Sequence, residues 1–351
     1  MTLNRIAATF LLLFTIISCD LPDRYITFSG YAQGGTYTVK LNIRGVKVKP
    51  EIIRDSVDMI LCRIDNSLSG YNKGSLISRF NSGCTIKPDE LFLDMYEKSI
   101  RFYEQTGGYL DVASAPLYDI WGFGFKNGEL PDSDKISESM AISGVKRLKK
   151  DMRMAMSEDG MLSGAMLVEE NEEPMVRLNY NAVAQGYSCD LVAAYLYSIG
   201  VKDMMVDIGE IYCDGKNPSG NRWTIGIDRP ADGNNDIGAQ IQGIFKVPDG
   251  PHGVVTSGNY RKFYIRGGKK YAHTIDPLTG YPVQHNLLSA TILADDALTA
   301  DAYATYCMVI GLERSMELLA SRPDLEGCLV YDEEGEFRTW CSDGFVLTGS
   351  K

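Results

Sequence analysis

The sequence predicts an α+β fold, and three observations carry that prediction. Period-two and helical apolar patterns are mixed without a regular strand-helix alternation; 44% of 351 residues are hydrophobic; and Gly, Asn, Asp and Pro cluster between short apolar runs in the second half. Such a chain buries a large core. The net charge of -11 leaves no basic face to neutralise phosphates, which excludes nucleic acid as a partner. An anionic ligand must therefore be held by local dipoles or a metal.

The first element is a targeting segment: Arg5, an apolar run from Ile6 to Ile17, then Ser18 and Cys19. The run is too short to span a bilayer. Ile16-Ile17-Ser18-Cys19 resembles a bacterial lipobox, which implies a signal peptide over 1 to 18, lipidation of Cys19, a tether over 19 to 30 and a single folded domain over 31 to 351. The protein is then expected in the bacterial cell envelope, anchored to a membrane by lipid and facing the periplasm. The alternative is an ordinary secretory signal with an incidental cysteine. Of eight cysteines, an odd number remain once Cys19 is set aside, and no C-x-x-C pair occurs. A disulfide framework or zinc site is poorly supported, though a single disulfide in an exported chain stays open.

Alternation at Tyr37, Val39, Leu41 and Ile43 predicts a strand. Ile53, Val57, Ile60 and Ile64, opened by Pro50, predict a helix over 50 to 66. A second helix is expected from Pro88 to Thr106, stopped by Gly107-Gly108. The stretch 145 to 178 reads as strands joined by turns at "EDG" and "ENEEP". A third helix is expected over 181 to 199, from Asn181 to Gly200, followed by strands at 204 to 208, 223 to 227, 241 to 247, 253 to 256, 261 to 265 and 288 to 293. The last helix starts near Thr299, reaches Gly311 and continues as a second piece closed by Pro323.

Several stretches admit both a chemical and a structural reading. In "LTADAYATYCMVIG", Asp301 and Thr305 lie one helical turn apart and offer two hard oxygens to one point, as magnesium requires; equally, Asp301 favours a helix dipole and Thr305 packs. In "LNYNAVAQGYSCDLVAAYL", Asn179 and Asn181 open a helix whose first amides can receive an anion, or Asn181 caps it and Gly186 admits a close neighbour. "WGFGFKNG" and Tyr71 offer aromatic planes for a flat ring or a lid on the core. "YAHTIDPLTGYP" is a turn at Asp276, Pro277 and Gly280. Turn chemistry does not account for His273, which titrates near neutrality and suits proton transfer.

Taken in order, "GGTYTVK", "LSGYNKGSLISRFN", "GGYLDVASAPLYDIWGFG", "LNYNAVAQGYSCD", "DIGEIYCDGKNPSGNRWTIGI", "VVTSGNYRKFY", "YAHTIDPLTGYP" and "ADAYAT" resemble the ApbE family of flavin transferases over about 31 to 320. That resemblance implies a compact unit of two interleaved lobes with FAD, the substrate, in the cleft between them. It places Gln33, Tyr71, Tyr109, Leu110, Asp111, Asn179, Gln185 and Ile275 against FAD. It assigns Mg2+ to the Ala182 carbonyl and to the side chains of Asp301 and Thr305.

The chain departs from the family pattern at Asn179 and Gln185, where Asp and Lys are usual, at Ala304, and in "DIGEI", one glycine short. The shorter turn is expected to displace the chain after it. The implied reaction is Mg2+-dependent transfer of FMN from FAD to a Thr or Ser hydroxyl of an exported or membrane redox protein, with AMP released. His273 and Asp276 are the candidate general bases. An FAD pyrophosphatase and a non-catalytic FAD-binding lipoprotein are the alternatives.

Overall fold

A computed structural model of the chain describes residues 23–123, 130–169, 176–231, 234, 238–260, 263–266 and 268–349. Cys19, the lipobox and the "ENEEP" turn lie outside the described residues, as does "WGFGFKNG" from residue 124. No helix among the described residues is long and apolar enough to cross a membrane.

The chain opens with a hairpin of β1 (Tyr25–Ala32) and β2 (Gly35–Asn42) and then turns helical. α1 (Pro50–Leu68), α2 (Leu76–Asn81) and α3 (Glu90–Gln105) lead to α4 (Ala115–Ile120), α5 (Ser133–Ala141), the single turn α6 (Gly164–Leu167) and α7 (Ala184–Ser198). Strands come next: β3 (Met204–Asp207), β4 (Ile211–Asp214), β5 (Thr224–Asp228), β6 (Ile241–Lys246), β7 (His252–Gly258), β8 (Phe263–Arg266) and β9 (Lys269–Ala272). The two-residue β10 (Ile275–Asp276) and β11 (Tyr281–Pro282) precede β12 (Leu287–Ala294), α8 (Ala297–Ile310) and α9 (Leu312–Ser321). The chain closes with β13 (Glu326–Glu333), β14 (Glu336–Cys341) and β15 (Leu347–Thr348).

Eight strands form one antiparallel sheet in the order β1-β2-β3-β4-β7-β12-β13-β14. Because side chains alternate between faces, Val206, Val255, Ile292 and Leu329 bury one face against the helices. Their neighbours Met205, Val254, Leu293 and Cys328 face a smaller cluster with Trp223, Ile225, Phe245 and Phe345. A three-stranded sheet, β15-β6-β5, carries part of that second cluster. A third cluster joins Leu117 and Trp121, at α4, and Ile136 of α5 to Ile275. This builds the second lobe, and the α+β class stands.

Four expectations are corrected. Residues 25 to 30, expected as tether, belong to β1, which pairs with β2 along its whole length. Strands are expected over 145 to 178, yet the described part holds two 3-10 turns, α6 and isolated bridges at Leu162 and Val168. The buried residues Val145, Leu148, Met152 and Ala155 are spaced by three and four, which suits successive turns better than a strand. The third helix begins at Ala184, because the Asn181 amide donates to Asn179 Oδ1 at 2.9 Å and no side chain caps α7. The short "DIGEI" turn leaves the strands it joins in step: β3 pairs with β4 in unbroken register from Met204↔Asp214 to Asp207↔Ile211. Gly209 closes that turn at φ +85°, a left-handed conformation that glycine adopts without strain.

Candidate active site

The junction of α7 and α8 is the tightest contact at the site. A Cβ on Gly186 would lie 2.3 Å from the Ala297 carbonyl oxygen and 2.8 Å from Asp301 Cβ, so only glycine lets the two helices meet here. The close approach lets the Gly186 amide donate to Asp301 Oδ2 at 3.0 Å. In a regular helix that amide would bond the carbonyl four residues earlier, that of Ala182. No backbone amide among the described residues takes the Ala182 carbonyl. One contact thus fixes the Asp301 carboxylate and frees the Ala182 carbonyl.

Asp301 is buried, and desolvation pushes its carboxyl up to about 8 against the opposing Gly186 hydrogen bond. Thr305 sits one turn later, with its hydroxyl 3.4 Å from Ser257 Oγ. Sequence reasoning missed Asp190, one turn beyond Gly186. It accepts the Ala297 and Leu298 amides at 2.8 and 2.9 Å, holding the start of α8 in place. Burial pushes its carboxyl up to about 7. A lone carboxylate among the apolar residues of α7 was the available signal.

Asp301 and Thr305 open on a cleft of about 340 Å³. Ala182, Asp301 and Thr305 line it together with Tyr71, Tyr109, Leu110, Asp111, Asn179, Gln185 and His273. Among the lining residues that sequence reasoning missed are Tyr118, Glu210, the end of β7 at Thr256–Gly258, and Tyr260. Tyr71 is exposed at 65%, as a rim residue would be. Tyr109 is held by Arg314, which donates to its hydroxyl at 2.8 Å and stacks over its ring at 4.7 Å. Asp111 accepts the Ala113 amide at 2.8 Å and the Val145 amide at 3.1 Å, fixing the loop after α3. Burial nevertheless raises its carboxyl to about 6. Gln185 donates to the Ile208 carbonyl at 3.1 Å, so it rests on the "DIGEI" turn.

Three expected residues do not line the cleft. Gln33 occupies the two-residue turn between β1 and β2 and donates to Ser188 Oγ on α7. Ile275 is buried among Leu117, Trp121 and Ile136. Asp276 Oδ1 accepts the Leu278 amide at 2.8 Å, and its carbonyl accepts the Gly280 amide at 2.8 Å. Asp276 is therefore the turn residue of the two readings. Trp121 Nε1 donates to the Gly280 carbonyl at 2.7 Å, which locks that turn to the second lobe. His273 reaches the cleft, with its ring 6.4 Å from that of Phe123.

A second cleft, of about 550 Å³, lies beyond the first turn of α8. Its polar groups are largely engaged: Arg322 bonds Tyr303 and Asp324, Asp296 caps α8 through the Thr299 amide, and Asp190 holds two amides. The first cleft is the one that holds the Asp301 carboxylate and the Ala182 carbonyl.

An antiparallel sheet with helices on one face, and a cleft lined by a buried carboxylate, a backbone carbonyl, a hydroxyl and aromatic rings, define the class of protein to which the comparisons speak. The profile of the ApbE family matches residues 33–329, and the chain belongs to that family. A Haemophilus influenzae protein named FAD:protein FMN transferase is 31% identical over 346 residues, 96% of this chain and 95% of that one. Two solved structures are similar across nearly the whole chain. The flavin transferase ApbE from Vibrio cholerae has a TM-score of 0.74 and 28% identity, covering 92% of this chain and 98% of its own. The Pseudomonas stutzeri flavinyl transferase ApbE has a TM-score of 0.76 and 30% identity, covering 92% and 95%. The chain is thus a member of a family of flavin-transferring enzymes.

Proposed function

We propose that the protein is a magnesium-dependent FAD:protein FMN transferase, joining FMN to a Thr or Ser hydroxyl of an exported or membrane redox protein and releasing AMP. The observation that carries this reading is the Gly186–Asp301 contact, which presents a carboxylate and a backbone carbonyl to the same cleft. The donor set fits the metal. Among the described residues no three His, Cys, Asp or Glu side chains form a cage, whereas Mg2+ takes few protein oxygens and fills its remaining positions with water and substrate phosphate. Asp301, Thr305 and the Ala182 carbonyl would hold it, and it would supply positive charge to the FAD pyrophosphate.

The chain's own groups do the rest. Tyr109, Tyr118 and the fixed loop at Asp111 form the wall against which the flavin half is oriented. His273 takes the proton of the acceptor hydroxyl as its oxygen bonds the phosphorus of the FMN half. The bond from that phosphorus to the AMP oxygen breaks, and AMP departs. Asp276 acts on this step only by holding the turn that carries His273. Lipidation at Cys19 would keep the enzyme in the cell envelope, where exported acceptors are found.

The test incubates protein lacking residues 1 to 19 with FAD and Mg2+, with and without a peptide carrying a Ser/Thr-Gly-Ala-Thr-like acceptor. AMP together with fluorescent peptide is the expected result. AMP without labelled peptide would make the protein an FAD pyrophosphatase, and bound FAD without AMP would make it a binder.

A further inference from the structure

The second face of the large sheet carries chemistry that flavin transfer does not use. β13 and β14 end the sheet, and Cys328 on β13 stands directly opposite Cys341 on the edge strand. The ladder fixes what kind of pair this is. The Ser342 amide donates to the Gly327 carbonyl at 2.9 Å across the same two strands, so Gly327 and Ser342 are a hydrogen-bonded pair. The next pair along, Cys328 and Cys341, is therefore non-hydrogen-bonded. In such pairs the Cα atoms approach to about 4.5 Å with side chains on the same face, inside the roughly 4.4 to 6.8 Å range that a disulfide spans. Both thiols are free, and both face the same cluster on this side of the sheet.

We propose that Cys328 and Cys341 form a redox-active cross-strand pair, oxidised by thiol-disulfide exchange with a small or protein disulfide to a bond that fastens the edge strand to the sheet. The two cysteines differ in the way the exchange requires. Cys341 is half-buried at the edge, whereas Cys328 is fully buried beneath it. Cys341 is thus the attacking sulfur. Its thiolate attacks the incoming disulfide and one thiolate leaves. The Cys328 sulfur then gives up its proton and displaces the second thiolate from the mixed disulfide. Two thiols are oxidised, one disulfide is reduced to two thiols, and no other reactant is needed.

The pairing is selective because no other two cysteines stand opposite each other in the ladders of the described residues. Cys62 and Cys84 are exposed on the helical side of the chain, and Cys213 sits on β4, three strands from β13 in the sheet order. Oxidation would close a short loop around the β13-β14 turn, which removes freedom from the unfolded chain. It would also hold an edge strand that otherwise has a partner on one side only.

The full chain, reduced and then exposed to oxidised glutathione, is alkylated and mapped by mass spectrometry without reduction. A linked peptide pair containing Cys328 and Cys341 is expected, with a mass about 2 Da below that of the two free peptides. Oxidised protein should melt on the order of 5 °C above reduced protein, and Cys341→Ser should abolish that difference while leaving the reduced protein's melting unchanged within about 2 °C. Glutathione stably attached to Cys341, a link from Cys341 to Cys213, or free thiols at both positions would each overturn the proposal. If Cys341→Ser fails to fold, the peptide map and melting difference of the unsubstituted chain still decide.

Discussion

The two walls of the cleft are built in opposite ways. On the α7–α8 wall, packing and the proposed metal site are one contact: the approach that Gly186 permits is the approach that orients Asp301. On the wall formed by 271 to 282, the polar groups of the turn are spent on structure, with Asp276 on the Leu278 amide and the Gly280 carbonyl on Trp121. Only His273 and its neighbours Thr274 and Pro277 reach the cleft from that stretch. A residue pattern therefore marks a site on both walls, but on the second most of the pattern is scaffold.

Asp301→Ala breaks the first wall at its functional end. FMN transfer should fall on the order of 10³-fold or more, as loss of a metal-holding carboxylate in a dry site costs several kcal/mol of transition-state stabilisation. AMP release measures it, and chelation of Mg2+ should reproduce it. Activity within tenfold of the parent would remove Asp301 from the metal site. On the second wall, His273→Ala should cost about 10² to 10⁴-fold in kcat, and Asp276→Asn less than about tenfold. If the two costs were reversed, Asp276 would be the base after all.

Gly186→Ala tests whether packing and function are one contact. The added methyl meets backbone, which cannot swing aside, so a loss of about 2 to 4 kcal/mol in unfolding free energy is expected from urea titration. The surviving folded fraction should also show weakened Mg2+ dependence, because Asp301 and the Ala182 carbonyl move together. A variant that lost stability but kept the parent's Mg2+ response would separate the two roles.

Much of this is legible in the sequence. Helices with a clear apolar stripe, such as α1 and α3, are readable to within two residues at each end, because one face alone is buried. The start of α7 is not, because its amides are arranged by Asn179 and Asp301, residues outside the helix. Strand β1 is hidden inside a stretch that reads as a tether, since its half-buried alternation is weak. At the site, the i, i+4 pair Asp301 and Thr305 is visible in one dimension. The role of Asp190 is not, because the amides it holds lie more than a hundred residues away.

The smallest expected effect concerns three carboxyls at or near the cleft. Burial holds Asp111 at about 6, Asp190 at about 7 and Asp301 at about 8. In the unfolded chain an aspartate loses its proton near pH 4. Between that pH and the folded value the folded protein binds more protons than the unfolded one, so stability falls as pH rises. Metal-free protein should therefore melt at progressively lower temperature from about pH 5 to about pH 8, contrary to a protein whose aspartates are ion-paired. Asp111→Asn should flatten the lower part of that slope and Asp301→Asn the upper part. If Asp301 holds Mg2+ as proposed, the metal takes the ionised carboxylate and should raise the melting temperature more at pH 8 than at pH 6. A melting temperature that rose with pH in the absence of metal would mean that these carboxyls are solvated, and that the junction of α7 and α8 is looser than the Gly186 contact requires.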